Sequence, residues 1–407
     1  MKRVVITGMG AATPIGCSVS EYTDALFAGK NGIGRITRFD VGDSKFTLAA
    51  ELKDFDPQKR LEKPLVRKND PYAVYAMYAA DEAMEDSGIA GKIEPEELGV
   101  YIGSGIGGFD TFCHEHSVLL ETGAKRVAPQ FIPKLISNIA AANVAIRHNA
   151  RGPCMAHVTA CATSSTAIGE GYRAIMCGAA KAILCGGSEA TINPLAVAGF
   201  ANCMALSPSE DPDAASLPFD ARRGGFVMGE GAAVLLLEEY EHAVARGAKI
   251  YAEIVGYGTT CDAHHVTAPD PTAKDVARAI KLALPEDISE SETIYYNAHG
   301  TGTKLNDATE TSALKQVFGE NAKKLHISST KSMTGHMLGA AGAAEAIACV
   351  AALNRGMIPP TINLKEPDPE LDLDYTPNVP VKADISLALS ASLGFGGHNV
   401  CLAFRKV

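Results

Sequence analysis

The 407-residue chain reads as a large α/β protein made of two similar halves. Three observations carry that expectation. Short β-branched or apolar runs each end in a glycine-rich turn, helical patterns lie between them, and the strand-then-glycine pattern recurs on both sides of a break near Tyr251. Strand–helix alternation points to mostly parallel sheets covered by helices. No fixed-period repeat accompanies it, so the recurrence suggests a duplicated unit and not a solenoid.

The elements follow in chain order. Val4–Thr7 is a strand, and Gly8-Met9-Gly10 is expected to be a tight turn after it. That turn differs from a dinucleotide fingerprint, because position 13 is Thr and no acid closes a second strand about 20 residues on. Asp70–Ser87 is a helix with Gly88 as its stop. Gly99–Ile102 is a strand before Gly103-Ser104-Gly105. The Ala167–Cys177 helix is followed by the Ala182–Cys185 strand before Gly186-Gly187, and Val234–Leu237 closes the first half. Beyond Tyr251 come a helix over Thr272–Leu284, a strand over Ile294–Asn297, helices over Ala308–Phe318 and Leu338–Asn354, and a strand over Leu387–Ser392. Ser207–Gly225 and Met357–Asp384 are rich in Pro and Asp and read as long loops. The division expected is 1–250 and 251–407.

Composition narrows the function classes. Hydrophobic residues make up 46% and charged residues 21%, enough for a sizeable core. A net charge of −10 disfavours a general nucleic-acid role, which needs a positive face. Ten cysteines without a C-x-x-C pair, mostly in apolar or small-residue surroundings, indicate reduced thiols and a cytoplasmic location. Gly8, Gly10 and Pro14 interrupt any signal-peptide core after Met1-Lys2-Arg3. The nearly uncharged stretch Ser332–Asn354 carries His336, Glu345 and three glycines, so it reads as a buried helix and not a membrane span. Cys113 with His114 and His116, and Asp262 with His264 and His265, lack a matching second cluster, so no metal site is expected.

Four segments carry chemistry. In Thr159-Ala160-Cys161-Ala162-Thr163 a strand-like run leads into a helix start, where unpaired N–H groups and the macrodipole favour a thiolate. Cys161 is then either a nucleophile, whose own N–H helps bind an oxyanion, or a small residue filling a turn. His299, in Asn297-Ala298-His299-Gly300-Thr301-Gly302-Thr303, either faces a pocket or is bonded within its turn. Lys331 and His336 share Lys331-Ser332-Met333-Thr334-Gly335-His336. A helix start keeps His336 neutral, and a buried Lys331 needs an acid, for which Glu345 is the candidate. Gly394-Phe395-Gly396-Gly397-His398-Asn399 is either a mobile loop swinging Phe395 across a pocket or an ordinary hairpin turn.

Taken in order and spacing, these segments and the opening Val4-Val5-Ile6-Thr7-Gly8-Met9-Gly10 resemble the β-ketoacyl-[acyl carrier protein] synthases, most closely the elongating type II enzymes. The resemblance covers essentially the whole chain. It implies a thiolase-like αβαβα fold of five layers with duplicated halves of five strands each, and a homodimer. It implies a decarboxylative Claisen condensation: Cys161 takes an acyl chain from a thioester, and malonyl-carrier protein loses carbon dioxide and attacks it. The product is a 3-oxoacyl-carrier protein two carbons longer. The N–H groups of Cys161 and Phe395 would form the oxyanion hole, and His299 and His336 would stabilise the enolate. Lys331 would orient the histidines electrostatically with Glu345 as its partner. Thr301 and Thr303 would meet the phosphopantetheine arm, which the acyl carrier protein itself supplies, so no cofactor is expected. Phe395 would gate entry and Ile106 would line the acyl pocket. Lys63, Arg67 and Lys68 form a basic cluster suited to an acidic carrier protein. Met204 stands where some relatives place a carrier-contacting arginine.

Other readings predict other residues. A thiolase needs a second catalytic cysteine near the C-terminus, and Cys401 falls inside the expected last strand. An initiating synthase carries Asn where this chain has His336. A papain-like hydrolase leaves Lys331 and His336 unused. A non-catalytic chain-length partner subunit typically lacks the cysteine. An iterative polyketide-type ketosynthase would use the same chemistry.

Overall fold

In the computed structural model, which describes residues 2–289 and 292–407, ten strands form one continuous sheet. The first half contributes β1 (Val4–Ala12), α1 (Pro71–Ser87), β2 (Leu98–Gly103), α2 (Phe109–Thr122), β3 (Cys154–Met155), α3 (Thr163–Met176), β4 (Ala182–Glu189) and β5 (Gly231–Glu239). The second half contributes β6 (Ala252–Cys261), α4 (Lys274–Ala283), β7 (Ile294–Asn297), α5 (Lys304–Phe318), β8 (His326–Ser328), α6 (Ala341–Arg355), β9 (Leu387–Gly394) and β10 (His398–Arg405).

Strand order is β3-β2-β4-β5-β1-β6-β10-β9-β7-β8. Counted within each half, both halves read third, second, fourth, fifth, first. Directions repeat as well: the outer three strands are parallel and the inner pairings antiparallel. The sheets are therefore mixed, where alternation alone pointed to mostly parallel ones. In the second half β9 turns straight into β10 over three residues, which makes that pair antiparallel. In the first half the β4–β5 connection is long and includes the helix Pro194–Asn202, yet the pair is antiparallel as well. The halves join edge to edge through Val4–Ile254, Val5–Glu253 and Ile6–Ala252.

Helices complete five layers. α1 covers the outer face of the first half, α3 and α6 pack together between the two five-stranded halves of the sheet, and α4 and α5 cover the second half. The middle layer fits because most of α6 is Ala, Gly or Cys, and every residue from Ala341 to Leu353 is buried. α1 begins at an Asp70 cap that accepts the Tyr72 N–H, with Pro71 at its first position, and ends at Gly88 in the left-handed region.

The expected turn at Gly8-Met9-Gly10 is instead the middle of β1. Its glycines answer to packing: a Cβ on Gly8 would lie 2.2 Å from the Ala83 carbonyl oxygen, and one on Gly10 1.9 Å from that of Ala79, so α1 lies directly on the strand. Gly186 and Gly187 likewise continue β4 and do not end it. Among the described residues, no helix is long and apolar enough to cross a membrane.

Candidate active site

Each chemical group sits where a strand of the central sheet ends. Cys161 follows β3 in a single 3-10 turn, Ala160–Ala162, that leads into α3. Ala160 has φ +50°, a strained value for a residue with a side chain, of the kind that re-aims the next residue. His299 follows β7, Lys331 follows β8 in a short helix, and Phe395 sits in the hairpin turn after β9. His336 lies ahead of the 3-10 turn Leu338–Ala340, five residues before α6 begins, so it is farther from that helix start than expected.

These turns enclose a cavity of about 540 Å³ whose wall includes Cys161, His299, His336, Thr301, Thr303 and Phe395. The two imidazole rings are 5.3 Å apart and perpendicular. Burial, then the Lys331 charge, hold both well below the ordinary histidine value, with His336 adding to the effect on His299. Both are therefore neutral. Nδ1 of His336 accepts the Leu338 N–H at 3.3 Å, which places its own proton on Nε2. Lys331 is 1% exposed and its Nζ is paired with Glu345 Oε1. That pair brings a fixed cation close to both rings, which disfavours imidazolium.

Cys161 is half-buried and faces the cavity, yet protein surrounds its sulfur. Burial pushes the thiol up to about 12, against the lowering influence of Lys331 and of a hydrogen bond from the Phe395 N–H. The helix-start effect expected to favour a thiolate is outweighed, for two physical reasons. The cysteine precedes α3 in a separate turn, and desolvation acts on the whole charge. Phe395 approaches because residue 394 is glycine: a Cβ there would lie 2.6 Å from the Thr159 oxygen and 3.3 Å from the Cys161 nitrogen.

Supporting carboxylates escaped the sequence reading. Glu310, fully buried on α5, accepts the His299 N–H at 2.7 Å, the Gly300 N–H at 2.9 Å and the Tyr296 hydroxyl at 3.0 Å. It thereby fixes the loop that presents His299. Asp307 accepts the Phe219 and Gly302 N–H groups one turn earlier. Glu189 at the end of β4 collects four donors. A polar helix face or a strand-end acid gives no sign of inward orientation, so only the three-residue spacing of Asp307 and Glu310 after the His299 loop could have hinted at it.

The remaining sequence candidates fall elsewhere. Ile106 does not line this cavity: its N–H is held by Glu189 and its side chain is half-buried. Phe109, three residues on, packs into the apolar cluster that also takes in Cys161. Lys63, Arg67 and Lys68 are exposed on the short helix Lys63–Lys68, and Lys134 reaches the Arg67 carbonyl at 3.3 Å. Among the described residues, no three His, Cys, Asp or Glu side chains cluster so as to hold a metal ion.

Residues 1–243 match the family model "Beta-ketoacyl synthase, N-terminal domain", and residues 251–365 match "Beta-ketoacyl synthase, C-terminal domain". The chain is 49% identical to a 3-oxoacyl-[acyl-carrier-protein] synthase 2 of Synechocystis sp., covering 100% of this chain and 98% of the relative. It is 47% identical to the protein of that name in Staphylococcus aureus, with the same coverage. Among solved structures, the ishigamide ketosynthase/chain length factor superposes with a TM-score of 0.93 at 36% identity, over 100% of this chain and 99% of that one. A type II PKS acyl-carrier protein in complex with its ketosynthase bound to the hexaketide superposes at 0.89 and 34%, again over 100% and 99%. With the duplicated five-layered fold and a cysteine facing two histidines in one cavity, the chain belongs to the β-ketoacyl synthase family, as a thiolase-like condensing enzyme of type II.

Proposed function

We propose that this ketosynthase elongates fatty acyl chains on acyl carrier protein, with Cys161 as the acyl-accepting nucleophile. The observation that carries the reading is the shared cavity: one thiol, two neutral imidazoles and the Phe395 N–H face the same space. In the first half-reaction the sulfur attacks the acyl thioester carbonyl. The oxyanion rests on the N–H groups of Cys161 and Phe395, and the pantetheine thiol leaves with the cysteine proton. In the second, malonyl thioester binds with its carbonyl oxygen at His299 and His336. The bond to the carboxylate breaks, carbon dioxide leaves, and the electron pair becomes an enolate held by the His336 Nε2–H. The enolate carbon attacks the acyl carbonyl, and the carbon–sulfur bond breaks with its electron pair going to the Cys161 sulfur. That thiolate takes up a proton from solvent to restore the thiol, and the 3-oxoacyl product departs. Neutral imidazoles suit this step, since a hydrogen bond to the enolate does not require a resident cation. Lys331, held in place by Glu345, sets the field that keeps them neutral.

Thr301 and Thr303, whose hydroxyls are 3.0 Å apart on the cavity wall, receive the phosphopantetheine arm. Phe395 gates entry, and Ile106 lies toward the acyl tail beyond Cys161, on the Phe109 side. Lys63, Arg67 and Lys68 meet the acidic carrier, with Met204, 89% exposed at the cavity rim, adding an apolar contact. The two halves divide at 250/251, and the enzyme works as a cytoplasmic homodimer. Ten unpaired thiols suit a reducing compartment. An iterative polyketide role shares the chemistry; a 3-oxoacyl-[acyl-carrier-protein] synthase 2 is 49% identical to this chain and a type II PKS ketosynthase 34%.

The test is intact-protein and peptide mass measurement after incubation with an acyl-carrier protein, then with malonyl-carrier protein. An acyl adduct on the Cys161 peptide that vanishes as 3-oxoacyl product forms supports the reading. No adduct at any chain length, from a folded protein and a competent carrier, would sink it.

A further inference from the structure

We propose that Glu189 is a positioning residue for His336: through the Gly339 N–H its carboxylate holds the turn whose Leu338 N–H keeps the His336 proton on Nε2. The inference rests on the role given above to His336.

Glu189 is fully buried, and among the described residues no Lys, Arg or His lies within ion-pair distance of it. Its acceptor sites are filled by donors alone. Oε2 takes the Gly105 N–H at 2.9 Å and the Gly339 N–H at 3.0 Å. Oε1 takes the Ser104 hydroxyl at 2.9 Å and the Ile106 N–H at 3.3 Å, and the Ser104 oxygen accepts the Gly107 N–H at 2.9 Å. Burial pushes the Glu189 carboxyl up to about 7, against the lowering influence of Ser104 and the Gly339, Gly105 and Ile106 N–H groups. Oε2, which faces two N–H groups, can serve them only as an acceptor, and the ionised form serves all four donors best. Glycine makes the approach possible, since a Cβ on either Gly105 or Gly339 would lie 2.7 Å from Oε2.

What the clamp holds is strained. Leu338 has φ +47°, a left-handed value for a branched side chain. Two successive N–H groups pin it there: Leu338 to His336 Nδ1 and Gly339 to Glu189. The His336 backbone is held separately, its N–H by Val227 O at 2.7 Å and its carbonyl by Gly229 N–H at 2.8 Å. Losing Glu189 therefore leaves the ring in place but frees the turn to relax, and Nδ1 loses its donor. The proton can then move to Nδ1, and Nε2 no longer donates into the cavity. The same carboxylate anchors Ser104–Gly107, so one buried side chain ties that loop to the condensing histidine.

The experiment compares wild type, Glu189→Gln, Glu189→Asp and His336→Asn as full-length enzymes. Three quantities are read: acylation of Cys161 by an acyl-carrier protein, decarboxylation of malonyl-carrier protein, and the tautomer of His336 in 15N-histidine NMR. The His336 signal is identified by its absence in His336→Asn. Glu189→Gln is expected to acylate within about threefold of wild type, to lose about tenfold or more in decarboxylation, and to show His336 shifted from the Nε2–H tautomer to a mixture. Glu189→Asp, about 1.5 Å shorter, keeps the charge and is read for the same split if the Gln variant does not fold. Retention of the Nε2–H tautomer in a folded variant overturns the proposal. So does an equal loss in both half-reactions, or a wild-type His336 protonated on Nδ1, which needs no variant at all. If His336→Asn leaves decarboxylation intact, the role of His336 fails while the tautomer spectra still judge the clamp.

Discussion

At the scale of single residues, the free enzyme holds its nucleophile as a thiol. With the Cys161 thiol pushed up to about 12, the thiolate fraction grows about tenfold per pH unit through the neutral and mildly alkaline range. Alkylation of Cys161 by iodoacetamide should therefore keep accelerating to about pH 9.5 with no plateau; a plateau between about pH 7 and 8 would mean a stabilised resting thiolate. The histidines point the other way: both are held below their usual value, so cooling the pH through about 6.5 leaves them neutral and should produce no acid limb there in decarboxylation. Gly394 is the residue on which the oxyanion hole depends sterically. Gly394→Ala places a methyl group against Thr159 O and Cys161 N. Acyl transfer should fall by about 100-fold or more while circular dichroism stays unchanged, as loss of one oxyanion donor does elsewhere. Near-normal acylation would show that the turn gives way and that Phe395 is not needed there.

At the scale of elements, the long Pro- and Asp-rich loops are held by a buried acid. Asp220, 0% exposed, accepts both Arg222 guanidinium nitrogens and its N–H, and also the Lys365 and Glu366 N–H groups at 2.8 and 2.9 Å. Burial pushes its carboxyl up, but Arg222 and the backbone donors prevail and hold it well below the usual range. A depressed folded value contributes stability above the unfolded value, near 3.9, and that contribution is lost as pH falls toward the folded one. Asp220→Asn should thus cost about 1–3 kcal/mol near neutral pH, read as a lower midpoint in denaturant, and the gap from wild type should close below about pH 3. A gap that persists unchanged in acid would assign the loss to shape and not to charge. The same segment shows what the sequence could and could not disclose. Periodicity found α1, α4 and the strands before His299 and Phe395, because one apolar face or a short apolar run is a local property. It stopped β1 and β4 too early, because Gly8, Gly10, Gly186 and Gly187 answer to a neighbouring backbone and not to a turn. Residue type and order were enough to single out Cys161, His299, Lys331 and His336. They could not single out Glu310 or Glu189, whose significance lies in backbone N–H groups that only the folded loops bring to them.

At the scale of the whole molecule, the two edges of the ten-stranded sheet differ. The β8 edge is covered, since Ile327 N–H donates to Asp374 O at 3.1 Å. The β3 edge is not: Cys154 is exposed, Met155 and Val158 are 49% and 54% exposed, and the helix Ile139–His148 packed beside it buries only Ala140, Ala141 and Val144. An open edge flanked by apolar side chains invites pairing with a second edge, and two copies of one chain close most simply through a two-fold axis. Antiparallel pairing of β3 with its symmetry mate would satisfy the edge and cover Leu120 and Ile146, which are 72% and 79% exposed. The edge also lies six residues ahead of Cys161, with Ala160 strained between them, so a dimer would brace the turn that presents the nucleophile. The double change Met155→Glu and Val158→Glu puts charges of one sign along this edge in both copies, so pairing across the axis brings like charges together. Sedimentation velocity should show wild type as a dimer at micromolar concentration and this variant largely as a monomer, with Cys161 acylation reduced along with the dimer fraction. A variant that stays dimeric would place the interface elsewhere. A monomer that acylates at the wild-type rate would retain the interface but remove its link to the nucleophile turn.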